Sequence, residues 1–180
     1  MYFPKPGPAC TEQTIQIALV EAAKRGIRDI VVASTRGGTA MMLREFDGNV
    51  VSVTHAYGYA EKGQCELAQE MREKLLAAGI KVLSTTHVLS GVERGISNQF
   101  KGSYPAEIIS NALRMLGQGT KVCVEIAIMA LDAGLIPYGK EVIAIGGTGG
   151  GADTALIMTP AHANEVFKVR IHEILCKPYR

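Results

Sequence analysis

Two short stretches carry the residue types from which an anion site is built. Ser34-Thr35-Arg36-Gly37-Gly38-Thr39 places hydroxyls, paired glycines and a guanidinium side by side, between a β-rich run and a helical one. Amides at the start of a helix have no intrahelical acceptor, so they can donate to an anion. Gly37 and Gly38 let the backbone come close to a ligand, Ser34, Thr35 and Thr39 can donate through their hydroxyls, and Arg36 adds charge. A plainer role suits the same residues, with Thr39 capping a helix and the glycines forming a tight turn. The local sequence leaves both open.

The second stretch is Gly146-Gly147-Thr148-Gly149-Gly150-Gly151. It is no dinucleotide fingerprint, because a strand is predicted after it where that fingerprint needs a helix. It is no P-loop either, since no GK[ST] closes it. It reads as a hairpin loop joining two strands, or as a wall of bare backbone against which a ligand lies.

Other residues are candidates of a weaker kind. Thr54 ends a strand, and His55, Tyr57 and Tyr59 follow it, placed to line a pocket. Ser90, Glu93, Arg94 and Asn98 fall in a long polar connection, Ser84 to Gly102, that can act as a lid. Glu125 and Asp132 share a helix face with Lys121, a stripe read as solvated or ion-paired in preference to a catalytic carboxylate pair. The four histidines are scattered without a close His/Cys/Asp pattern, so no metal site is expected. No GxSxG elbow is present, and no catalytic residue is assigned.

These residues need a frame. Thr11–Arg25 has helical spacing of apolar residues, with Thr11 as cap and Gly26 as stop. Strands are predicted at Asp29–Ala33, Val50–Thr54, Ile80–Leu83, Glu141–Ile145 and Thr154–Met158. Helices are predicted from Thr39 to Phe46, Cys65 to Ala78, Pro105 to Leu116, and from a Thr120 cap to near Gly134. Phe167, Val169 and Ile171 alternate with Lys168, Arg170 and His172, the pattern of a half-buried strand. The prolines of residues 1–8 read as an extended lead-in. Alternating helices and strands favour a sheet covered on both faces. The expected organisation is a single α/β domain over residues 1–180, with no repeat or dividing linker.

Composition bounds the partners. Nineteen basic residues against seventeen acidic give a net charge of +2, which makes no case for nucleic acid or an anionic membrane. No run approaches the roughly 20 apolar residues that span a bilayer. Cys10, Cys65, Cys123 and Cys176 are dispersed without a CxxC pair, which suits reduced thiols and a cytoplasmic location.

The run Ile30-Val31-Val32-Ala33-Ser34-Thr35-Arg36-Gly37-Gly38-Thr39-Ala40 resembles the strand, loop and helix of the pyruvate kinase C-terminal (α/β) domain. Gly37, Thr39 and Ala40 sit where that family's T-x-S-G-x-[ST]-A pattern places a small residue, a second hydroxyl and an alanine. Over nearly the whole chain the resemblance is to stand-alone archaeal and bacterial members built on this domain, through Thr85-Thr86-His87, Leu89–Arg94, Lys121–Ile126 and Ala144–Gly149.

The resemblance implies a three-layer α/β/α fold whose mixed sheet has strand order 3-2-1-4-5, with strand 5 antiparallel. Strands 1 and 4 would then be neighbours, and their C-terminal ends a switch point where ligands collect. It also implies phosphate binding at Ser34–Thr39, and no kinase activity from this chain by itself, because that enzyme's catalytic machinery lies in its barrel domain. The expected ligand is a phosphate-bearing small molecule, with flavin mononucleotide (FMN) the specific choice. Its contacts would be residues 34–39, Thr54, His55 and Tyr57, and Gly146, Gly147, Thr148, Gly149 and Gly150, with Met41 as an apolar neighbour. Two alternatives stand beside it: an enzyme, flavin-dependent or acting on a phosphometabolite, and a structural or homo-oligomeric interaction module.

Overall fold

A computed structural model describes residues 1–179. The elements are β1 (Tyr2–Phe3), α1 (Thr11–Arg25), β2 (Asp29–Ala33), α2 (Gly38–Met41), β3 (Asn49–Val53), α3 (Gln69–Ala77), β4 (Lys81–Leu83), α4 (Gly91–Phe100), α5 (Pro105–Arg114), α6 (Gln118–Asp132), β5 (Val142–Gly146), β6 (Thr154–Thr159) and β7 (Arg170–Pro178).

One mixed sheet has the order β1-β7-β6-β5-β2-β3-β4. Five consecutive strands from one edge, β4-β3-β2-β5-β6, make the expected 3-2-1-4-5 arrangement. β2 is parallel to both β3 and β5, with Val31 opposite Val51 and Ala144, while β6 returns antiparallel to β5. β7 and β1 extend the sheet beyond β6.

The strands are apolar without alternation because both faces are covered. On one side Ile30, Val32, Ile143 and Ile145 pack with Ile15, Ala18 and Ala22 of α1, Ala40 of α2 and Leu75 of α3. On the other, Val31, Val51, Ala144 and Leu156 pack with α6. Nearly every residue of α6 from Gly119 to Leu131 is buried, which explains its apolar composition. Burial of Ile126, Ile128, Met129 and Leu131 contributes roughly 1.5–3 kcal/mol each.

Several local expectations change. The Pro-rich lead-in is not merely extended: Tyr2 and Phe3 pair in parallel with Lys177 and Pro178. The C-terminal strand begins at Arg170, because Ala163–Lys168 forms a 3-10 turn that leaves Phe167 exposed. The Ser84–Gly102 connection contains α4, none of whose side chains is buried. α2 spans a single turn in place of the predicted Thr39–Phe46 helix, and α3 starts four residues later than Cys65. Thr11 and Thr120 do not cap their helices. The cap positions are Cys10 and Gly117, and the Thr120 hydroxyl donates to the Leu116 carbonyl at 3.2 Å.

A candidate ligand cleft at the ends of β2 and β5

At the C-terminal end of β2 the backbone must turn sharply away from β5. Gly37 makes that turn at φ 86°, and a Cβ there would lie 2.5 Å from Met71 Cγ. Both the conformation and the close approach of α3 demand glycine. The buried Ser34 hydroxyl accepts the Ala40 amide at 3.1 Å, closing the loop onto α2. The amides of Thr35, Arg36, Gly38 and Thr39 donate to no protein acceptor among the described residues. Because α2 is one turn long, its dipole adds little. The anion-binding capacity of this loop lies in its unpaired amides, in the Thr35 and Thr39 hydroxyls and in Arg36.

The glycine-rich turn after β5 is anchored on three sides. Thr11 Oγ1 accepts the Ala152 amide at 3.0 Å, and Asp153 accepts the Thr148 amide at 3.1 Å. Gly151, at φ 62°, passes so close to Pro8 that a Cβ would lie 2.7 Å from its Cα. Between these anchors the Gly149, Gly150 and Gly151 amides have no protein acceptor among the described residues.

The two turns meet. Ser34, Thr35, Arg36, Gly38 and Thr39 line one wall of a cavity of about 530 Å³, and Gly147, Gly149, Gly150 and Gly151 line the facing part. β2 continues toward β3 on one side and β5 toward β6 on the other, so this is the crevice expected at a switch point. His55, Tyr59, Glu66, Gln118 and Val122 complete its lining.

A second cavity of about 840 Å³ adjoins it, lined by Thr54, His55, Tyr57, Tyr59, His87 and the inner faces of α4 and α6. His55 and Tyr59 line both, as do Ala33, Thr35, Gln118 and Val122, and the two rings lie 4.0 Å apart at an interplanar angle of 34°. His87 stands against this pair, 5.6 Å from His55 and 5.5 Å from Tyr59. Glu66 Oε2 holds His55 Nδ1 at 2.7 Å and so fixes the orientation of that ring. Burial lowers the His87 pKa from its ordinary value and favours the neutral imidazole. The Thr54 hydroxyl donates to Ser84 Oγ at 2.7 Å, and Arg72 donates to the same oxygen, which ties the ends of β3 and β4 to α3.

Most of the residues singled out from sequence come together here, but not all. Gly37 faces the core, Gly146 is the buried end of β5, and Thr148 is turned toward Asp153; none of them lines a cavity. Met41 packs into the core under the loop. Tyr57 lines only the larger cavity. In the long connection Ser90, Arg94 and Asn98 do line it, whereas Glu93 accepts the Glu107 amide at 2.9 Å.

The helix α6 was predicted, with Lys121 and Glu125 as a solvated or ion-paired stripe, but not the cavity that its face lines. Gln118, Lys121, Val122 and Glu125 recur at three- and four-residue intervals on the face toward the cavities. Lys121 and Glu125 form a buried ion pair, and Asp132 lies at the other end of the helix, bonded to His162 at 2.7 Å. Among the described residues no group of three His, Cys, Asp or Glu side chains is arranged to hold a metal ion. Among the described residues no helix is long and apolar enough to cross a membrane.

The family model for the alpha/beta domain of pyruvate kinase matches residues 12–158. Among solved structures, a pyruvate kinase from Cryptosporidium parvum aligns over 81% of this chain and 22% of its own, at 18% identity and a TM-score of 0.40. The Cryptosporidium parvum pyruvate kinase in complex with ADP aligns over 95% of this chain and 25% of its own, at 18% identity and a TM-score of 0.43. The chain thus spans about a quarter of the length of the pyruvate kinases it matches.

Proposed function

The chain belongs to the pyruvate kinase alpha/beta domain family, and from that premise we propose that it holds a phosphate-bearing small molecule, FMN, in the cleft between the two turns. The observation that carries this reading is the shared cavity: turns from two strands, each with unpaired amides, line one space of about 530 Å³. Such amides are suited to phosphate oxygens, and the cavity lies in the size range of small-molecule sites.

The residues present fit FMN. Its phosphate would be held by the amides and hydroxyls of Ser34–Thr39, with Arg36 supplying charge and the glycine turn closing the opposite side. The His55–Tyr59 pair offers a flat face for an aromatic ring. Gln118 and Glu66 supply polar groups for a ring edge. When bound, FMN would bring redox chemistry; the chain's own residues would orient it and shield it from water.

Titration with FMN, followed by flavin fluorescence and by thermal denaturation, tests the reading. Saturable binding and a raised melting temperature are expected, because a ligand of the native state stabilises it. Absence of both, for FMN and for sugar phosphates, would overturn it. A second reading, an enzyme, draws on the His55–Glu66 pair, in which a carboxylate fixes the imidazole. It predicts turnover abolished by His55→Gln in a folded protein.

A further inference from the structure

The larger cavity has a charge pattern of its own. Lys121 and Glu125 lie one helical turn apart on α6 with side chains only 7% and 5% exposed. Glu125 is fully engaged: one carboxylate oxygen takes the Lys121 ammonium, and the other accepts the Leu89 amide at 3.0 Å. Lys121 is not. An ammonium has three donors, and Glu125 is its one acceptor among the described residues. A buried donor group at a cavity wall, with N–H bonds to spare, is costly until an acceptor reaches it.

Two arginines share that wall. Arg114 donates to Gln118 Oε1 at 2.8 Å and to Asn111 Oδ1 at 2.9 Å, both neutral, and pairs with no carboxylate among the described residues. The carboxylate partner of Arg94 is Glu107, at 3.9 Å, and Glu107 is already bound by the Ser97 hydroxyl at 2.8 Å. Arg94, Arg114 and Lys121 therefore face the cavity against the single carboxylate of Glu125. Burial lowers the Lys121 pKa, with Glu125 opposing, and the charges of Arg114 and Arg94 push it down further; the three cations feel one another.

We propose that this cavity is a second ligand site, for a small organic oxyanion, with Lys121 Nζ and the Arg94 and Arg114 guanidinium groups as its receptors. Guanidinium forks match carboxylate and phosphate geometry, and an ammonium supplies a point charge between them. Arg94 rides on α4, which buries no side chain and ends at Lys101 in a left-handed conformation, φ 63°. Its side chain is more than half exposed, and the 3.9 Å contact with Glu107 is its one ion pair among the described residues. The charges of this wall do not depend on FMN; only the identity of the ligand in the adjoining cleft rests on the FMN reading.

Calorimetric titrations with malonate, inorganic phosphate and FMN, on the natural protein and on Arg114→Gln, test this. Arg114 is partly exposed, so that substitution should leave the fold intact. Malonate is expected to bind the natural protein, to lose tenfold or more in affinity in Arg114→Gln, and to bind with FMN already present. Phosphate binding more tightly than malonate, with the same Arg114 dependence, would identify the occupant as phosphate-bearing and support the site. Malonate that fails to bind, binds both proteins alike, or is displaced one-for-one by FMN overturns the proposal. Arg114-dependent malonate binding in a protein that ignores FMN would remove the flavin reading and leave this site standing.

Discussion

The carboxylate of Asp153 accepts the amide proton of Gly7 at 3.0 Å, joining residues 146 positions apart in sequence. The same oxygen takes the Thr148 amide, and the other takes the Thr154 hydroxyl at 2.7 Å. Asp153 is fully buried. One side chain therefore fastens the lead-in, the glycine turn and the start of β6 to one another.

Removing it orphans three donors. Asp153→Ala should lower stability by roughly 3 kcal/mol or more, and Asp153→Asn by less, since an amide oxygen still accepts. Urea denaturation measures both. FMN affinity should fall along with stability, because the turn loses an anchor.

Gly37 and Gly38 are adjacent yet should respond oppositely. At Gly37 a methyl meets Met71 and the backbone is left-handed, so Gly37→Ala should destabilise by about 1–3 kcal/mol. At Gly38 nothing lies within 4 Å of a Cβ. Gly38→Ala should leave the melting temperature nearly unchanged but weaken FMN binding about tenfold, or 1.4 kcal/mol, by crowding the free amides. Equal loss of stability in both variants would contradict the assigned geometry.

Ser34→Ala removes the acceptor of the buried Ala40 amide. The expected cost is about 1–3 kcal/mol. Chemical denaturation reads this directly, and hydrogen exchange should show the Ala40 amide losing protection.

Lys121→Met leaves the Glu125 carboxylate buried without its cation, which should cost about 3–5 kcal/mol. Adding Glu125→Gln removes the stranded charge and keeps an acceptor for the Leu89 amide, so the double variant should be more stable than Lys121→Met alone. A double-mutant cycle by denaturation reports the coupling.

His87 gives stability a pH dependence. Its pKa is held below the ordinary 6.5 chiefly by burial, aided by the charges of His55 and Lys121 and opposed by Glu125 and a backbone bond at Thr54. The unfolded chain thus binds a proton at this ring before the native chain does. The contribution is complete above pH 6.5 and is lost as pH falls through the lowered native value. Melting temperatures from pH 8 to pH 5 should fall less steeply in His87→Gln. Parallel curves would assign the dependence to other groups.

The central strands were legible because burial on both faces leaves an unbroken apolar run, as in Ile30-Val31-Val32 and Val142-Ile143-Ala144-Ile145. The edges were not. A two-residue strand such as Tyr2–Phe3 has no periodicity, and the alternation from Phe167 runs through a 3-10 turn before β7 begins. α4 escaped notice because its apolar stripe, Val92, Ile96 and Phe100 at four-residue spacing, is exposed and lies among polar residues and glycines. That spacing was the available signal.

Both turns of the cleft were recognisable from composition, since dense glycine and hydroxyl residues after a strand are rare by chance. The inward face of α6 was harder. The i,i+4 spacing of Lys121 and Glu125 announces a pair, but nothing local says that the pair is shut away from water. Only the packing of α5, the sheet and the chain near Leu89 against α6 makes it so, and that is a tertiary fact.

The two chambers share a border on which His55 and Tyr59 both stand. Occupants on either side would press on the same pair of side chains. Whatever one guest does to the other's hold must then be repaid in equal measure, since thermodynamic linkage between two sites runs both ways.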